Sequence, residues 1–174
     1  MDVARAIEYI DGMGKTLGDL AFLEIDAGNI ATAREHATQA LEIHRSYDDR
    51  LYEGLALHAF GQIAIEEGQP ALARDLFLQA LAIYEDSGTR DRLITAFEAL
   101  VEALVGLGEY QQGLRLAAAA TQLRKLGKYR IDEPGQQRLD RFVTIARTAL
   151  GDAAADDAWE SGLALSIHET LAFA

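Results

Sequence analysis

The chain has 174 residues, of which 49 % are apolar and 25 % charged, with a net charge of −12 and no cysteine. That length suffices for one domain with a sizeable core, and the lack of cysteine excludes a disulfide framework and a thiolate zinc site. The acidic balance disfavours direct nucleic-acid binding, which needs clustered Lys and Arg. The N-terminus lacks the basic-then-apolar pattern of a signal peptide, and no uncharged apolar stretch approaches a membrane span. A soluble, cytoplasmic protein away from the membrane is therefore expected.

Alanine and leucine dominate over β-branched residues, which favours helix. Gly28, Gly68 and Gly108 stand 40 residues apart, with apolar side chains in register around each. A period of this size marks a repeat whose units bury their apolar faces by stacking. In the first unit, a helix through Leu17-Gly18-Asp19-Leu20-Ala21 ends at Gly28, and Asn29 caps a second one carrying Ala33, Ala37 and Ala40. The second unit runs through Leu57-His58-Ala59-Phe60-Gly61 to Gly68, with Pro70 in the first turn of a helix bearing Ala73, Phe77 and Ala80. The third has Phe97-Glu98-Ala99-Leu100-Val101, Gly108, then Gly113, Ala117 and Ala120. Small residues at such spacing let two helix axes approach closely.

Beyond the repeats, Pro134 starts a helix with apolar Leu139, Phe142, Val143, Ile145, Ala146 and Leu150 at helical spacing. An open array needs such a capping element. Trp159 reads as a packing anchor, and Ser166-Ile167-His168-Glu169 as a capping box for a last helix. The basic residues between Arg115 and Arg147 read as a solvated helix face, or as a patch facing the acidic tail.

Little in the chain supports catalysis. Gly12-Met13-Gly14-Lys15-Thr16 ends like a phosphate-binding loop, but the first glycine of that motif falls at Tyr9, and the repeat register puts Gly14-Lys15-Thr16 at a helix start. His36 and His44 are two turns apart, about 12 Å at 1.5 Å per residue, too far for one metal ion. No nucleophile elbow or paired catalytic carboxylates appear. The expectation is no enzyme activity, no cofactor and no metal.

The order Leu57, Phe60, Gly61, Gly68, Ala73, Phe77, Ala80 resembles the tetratricopeptide repeat. The other units depart from it, with Ala37 and Ala117 in the place of Phe77. The period exceeds the usual 34 residues, and Arg45, Glu85 and Lys125 replace the closing proline; longer second helices or longer inter-repeat loops would absorb the excess. The stretch from Ala146 through Trp159 to Ser166 resembles the end of LuxR-type and related ATPase regulators of bacteria, whose C-terminal half is a tetratricopeptide array.

The resemblance implies an all-α fold: three helical hairpins over residues 14–126 in a right-handed superhelix, with capping helices over 133–174, in one domain spanning 1–174. It implies a non-catalytic protein-interaction module, the sensor or regulatory segment of a larger bacterial signalling or transcriptional regulator. A free-standing adaptor or scaffold, and a small-ligand or peptide receptor, are the alternatives. Carried over residue by residue, the concave face holds Lys15 and Phe22, His58 and Gln62, Glu98 and Glu102, with Gly18, Leu55 and Thr95 beside them. The partner would be a protein or peptide, or another domain of the same parent chain, whose Lys or Arg pairs with Glu98 and Glu102. The apolar side of the first helix also offers a surface for a homodimer.

Overall fold

The computed structural model describes residues 3–174, with side chains from residue 9 onward. Among the described residues there are nine helices and no strand: α1 (Val3–Asp26), α2 (Ile30–Ser46), α3 (Arg50–Glu66), α4 (Pro70–Ser87), α5 (Arg90–Gly106), α6 (Tyr110–Gly127), α7 (Glu133–Leu150), α8 (Asp152–Leu163) and α9 (Ile167–Phe173). The chain divides into two compact units, Met1–Ser87 and Gly88–Ala174. The first holds hairpins α1–α2 and α3–α4; the second holds hairpin α5–α6 and the three helices after it.

The turns follow from local chemistry. Gly28, Gly68 and Gly108 take φ of +79°, +71° and +80°, a region that costs other residues steric strain. Each closes the same cap, in which the next residue reaches back five positions: Asn29 N–H to Glu24 C=O at 2.8 Å, Gln69 to Ala64 at 2.8 Å and Glu109 to Leu104 at 2.9 Å. These bonds satisfy carbonyls that a helix end leaves orphaned. Asn29 occupies the N-cap position but makes no cap bond with its side chain. Its amide instead donates to Glu24 Oε2 at 2.7 Å.

A second left-handed series lies between the glycines. Asp48 (φ 54°), Gly88 (φ 68°) and Lys128 (φ 57°) end the second helix of each hairpin, again one period apart. The connections from α1 through α6 are two or three residues long. The length beyond the usual repeat therefore resides in the helices, 17 residues in α3 and 18 in α4, and not in the loops.

In the first unit, Ala21, Ala33, Ala37, Ala59 and Ile63 form a buried cluster with Ile25. The close approach is visible at Gly61, where a Cβ would lie 2.3 Å from Phe77 Cε1. In the third hairpin the same two positions are Val101 and Ala117, both buried. Bulk moves from one helix to the other while the space is filled.

In the second unit, α5 is buried nearly all round, every residue from Ala96 to Val105 included, as a helix packed against both α6 and α7 must be. Helix α8 crosses α6 at backbone contact: a Cβ on Gly162 would sit 2.1 Å from the Arg115 carbonyl oxygen. Asp132 caps α7 by accepting from Gly135 N–H at 2.8 Å, with Pro134 in its first turn. Of the expected apolar set on α7, Leu139 and Ala146 are buried, whereas Ile145 is 43 % exposed. Trp159 is half-buried on α8 with Arg147 over its ring. The capping box before α9 is complete, Ser166 N–H donating to Glu169 Oε2 at 2.8 Å and Glu169 N–H to Ser166 Oγ at 3.3 Å.

Candidate functional site

The last turn of each second helix sends one side chain back toward the first helix. His44, Tyr84 and Arg124 occupy this place, one period apart, with exposures of 2 %, 1 % and 9 %. Where the first helix has a glycine, a ring lies against it. A Cβ on Gly14 would be 2.9 Å from His44 Cε1, and one on Gly54 would be 3.1 Å from Tyr84 Cε1. The corresponding residue of the third hairpin is Ile94, and there Arg124 makes an ion pair.

That ion pair is with Glu98. Arg124 Nε donates to Glu98 Oε1 at 2.6 Å and Nη2 to Oε2 at 2.5 Å, a two-point geometry that fits guanidinium to carboxylate. Nη1 donates to the Arg130 carbonyl at 2.8 Å and Nη2 to Thr95 Oγ1 at 3.3 Å. Burial raises the Glu98 pKa above the ordinary carboxylate value, against the opposing pull of Arg124. One turn on, Glu102 is 4 % exposed, with Arg138 of α7 4.0 Å away.

These placements correct part of the sequence-based site. Glu98 and Glu102 do not face outward to a partner's Lys or Arg, because α6 and α7 bring arginines of this chain onto them. His58 is also interior, 4 % exposed, with its ring 5.8 Å from that of Phe22 and 5.3 Å from that of Phe77. Lys15, Phe22 and Gln62, all in the first unit, remain half-exposed.

Gly14-Lys15-Thr16 lies inside α1 and not at its start. Thr16 Oγ1 donates to the Gly12 carbonyl at 2.9 Å, and the backbone N–H groups needed to cradle a phosphate are within the helix ladder. Gly14 makes room for Ile43 and His44. The Lys15 ammonium donates to Asp11 Oδ2 at 2.7 Å and lies 4.6 Å above the Tyr52 ring. The hydrogen bond to Asp11 raises the Lys15 pKa, with further help from Tyr52 and Asp49.

Several residues of the basic stretch are likewise occupied within the second unit. Besides Arg124 and Arg138, Arg115 stands over the Phe173 ring at 4.4 Å and Arg147 pairs with Asp156 at 2.8 Å. Among the described residues no helix is long and apolar enough to cross a membrane.

One cluster of ligating groups has no counterpart in the sequence-based reading. Asp11 on α1, His44 on α2 and Asp49 at the N-cap of α3 bring three ligand atoms within 4.8 Å of one another. The signals for it were the N-cap aspartate and the histidine one turn from a helix end, but neither spacing reveals that α1 supplies the third group.

Residues 12–86 match the tetratricopeptide repeat family, whose repeats generally mediate protein–protein interactions. Over 158 residues the chain is 31 % identical to the "Putative HTH-type transcriptional regulator Mb0914c" of Mycobacterium bovis, and equally to its namesakes MT0914 and Rv0890c of Mycobacterium tuberculosis. The alignment covers 89 % of this chain and spans 17 % of the length of those relatives. No solved structure matches the chain.

Proposed function

We propose that this chain is a non-catalytic, cytoplasmic protein-interaction segment, acting as the sensor or regulatory repeat array of a bacterial transcriptional regulator. The alignment carries this reading: 89 % of the chain matches 17 % of the length of proteins named as HTH-type transcriptional regulators. Repeat hairpins of this kind offer extended surface and few sites for chemistry, and the net charge of −12 favours a protein or peptide partner over nucleic acid. On the first unit, half-exposed Lys15, Phe22 and Gln62 form the partner-facing set, with Phe22 as apolar anchor.

The test is a regulator of this type from which the equivalent segment has been removed, with a transcription reporter. Supplying this chain in its place restores signal-dependent transcription, and Phe22→Ala combined with Gln62→Lys abolishes that restoration while the chain keeps its helical circular-dichroism signal. Restoration that ignores the double substitution rejects the surface. No restoration by the unsubstituted chain rejects the regulatory role, and turnover of ATP by the purified chain rejects the non-catalytic reading.

A further inference from the structure

We propose that Asp11, His44 and Asp49 form a binding site for a divalent transition-metal ion of the zinc class, at present held by the Lys15 ammonium as a built-in cation. The three residues come from α1, α2 and the α2–α3 turn, so a bound ion would tie together three elements of the first unit. The inference does not rest on the proposed function, with which it shares only Lys15.

His44 carries the argument. It is 2 % exposed, its ring is stacked on Tyr52 with centroids 4.9 Å apart, and Gly14 leaves the space into which it fits. Its Nδ1 lies 3.9 Å from Asp49 Oδ2, beyond hydrogen-bonding reach. An imidazole nitrogen facing two carboxylates is a donor set that a zinc-class ion takes readily, and the ligand atoms of Asp11, His44 and Asp49 already lie within 4.8 Å of one another.

The carboxylates suit the same role. Asp49 divides its two oxygens: Oδ1 accepts from Tyr52 N–H at 3.4 Å while Oδ2 faces His44. Asp11 faces the pair from α1 and holds Lys15. Zinc takes imidazole nitrogen and carboxylate oxygen at about 2.0–2.2 Å. On one ion such atoms stand about 3.3 Å apart, so a spread of 4.8 Å closes by movements of about 1 Å or less. Three protein ligands leave a fourth position for water. The imidazole favours zinc-like ions over Mg²⁺ and Ca²⁺, which prefer all-oxygen sites.

Lys15 is the stand-in. Its ammonium is where two carboxylates attract positive charge, and its side chain is 38 % exposed, so it can swing into water when a metal arrives. Two carboxylates and a neutral imidazole then balance the dipositive ion.

The test titrates the metal-free 174-residue chain with Zn²⁺ alone, by calorimetry. One ion binds per chain, and excess Mg²⁺ does not displace it. Asp11→Asn and His44→Gln each weaken binding by about tenfold or more. Lys15→Met strengthens it by about threefold or more, since it removes a competing charge a few ångströms away. Asp11 and Lys15 are partly exposed, so those two variants keep the fold and decide the matter even if His44→Gln does not. The proposal fails if neither the unsubstituted chain nor Lys15→Met binds one ion, if Asp11→Asn binds as tightly as the unsubstituted chain, if Lys15→Met fails to tighten binding, or if Mg²⁺ competes.

Discussion

The two units fill one repeat position in opposite ways. In the first, the interior is aromatic: His58 lies between Phe22 and Phe77, and His44 and Tyr84 rest on glycines of the facing helix. In the second, the equivalents of His58 and Tyr84 are Glu98 and Arg124, and the same space holds a buried ion pair with two further hydrogen bonds. Ring packing tolerates loss of one member by partial collapse, whereas a buried charge left without its counterion does not. The repeat thus preserves geometry while exchanging the chemistry inside it.

The largest effect should follow from breaking the charged interior. Arg124→Met leaves Glu98 buried and uncompensated, and should destabilise the chain by about 3–5 kcal/mol, read from urea unfolding. Adding Glu98→Leu should recover most of that loss, because an apolar pair replaces an ionic one of similar size. If the double variant is as unstable as the single one, the ion pair is not the reason for the difference between the units.

The aromatic interior should be broken next by Gly61→Ala, which forces a methyl group against the Phe77 ring and should cost about 1–3 kcal/mol. Phe77→Ala in the same chain recreates the Ala21/Ala37 pair of the first hairpin and should relieve the clash, visible as non-additivity in a double-mutant cycle. Additive losses would show that bulk is not exchanged between these positions.

The smallest effect sharpens the comparison at the turns. Gly88 and Lys128 hold equivalent left-handed positions, but only the glycine does so without steric cost. Lys128→Gly should therefore raise stability by about 0.5–1 kcal/mol, since the strain relieved exceeds the extra freedom of the unfolded chain. A loss of stability in thermal unfolding would mean that the Lys128 side chain matters more than its backbone strain.

Much of the fold was legible. The glycine period, Pro70, Pro134 and the Ser166–Glu169 box each marked a helix boundary that the structure has. Asp48 and Lys128 concealed the second left-handed series, because neither residue advertises that conformation as glycine does. The site was less legible. Glu98, Glu102 and His58 look outward when the repeat is read by helical phase alone, since phase does not say that α7 brings Arg138 onto Glu102, or that the last turn of α6 brings Arg124 onto Glu98. Nor does phase place Asp11 beside His44 and Asp49.

The sequence by itself determined the helix ends marked by glycine, proline or a capping box, because caps and turns are closed by hydrogen bonds between residues at most five apart. It determined the repeat too, since small and large side chains recur at fixed places. Only the tertiary structure decided which polar side chains are interior and which partners they have. Those partners come from helices distant in the chain, and the free energy of a buried charge depends on what stands opposite it.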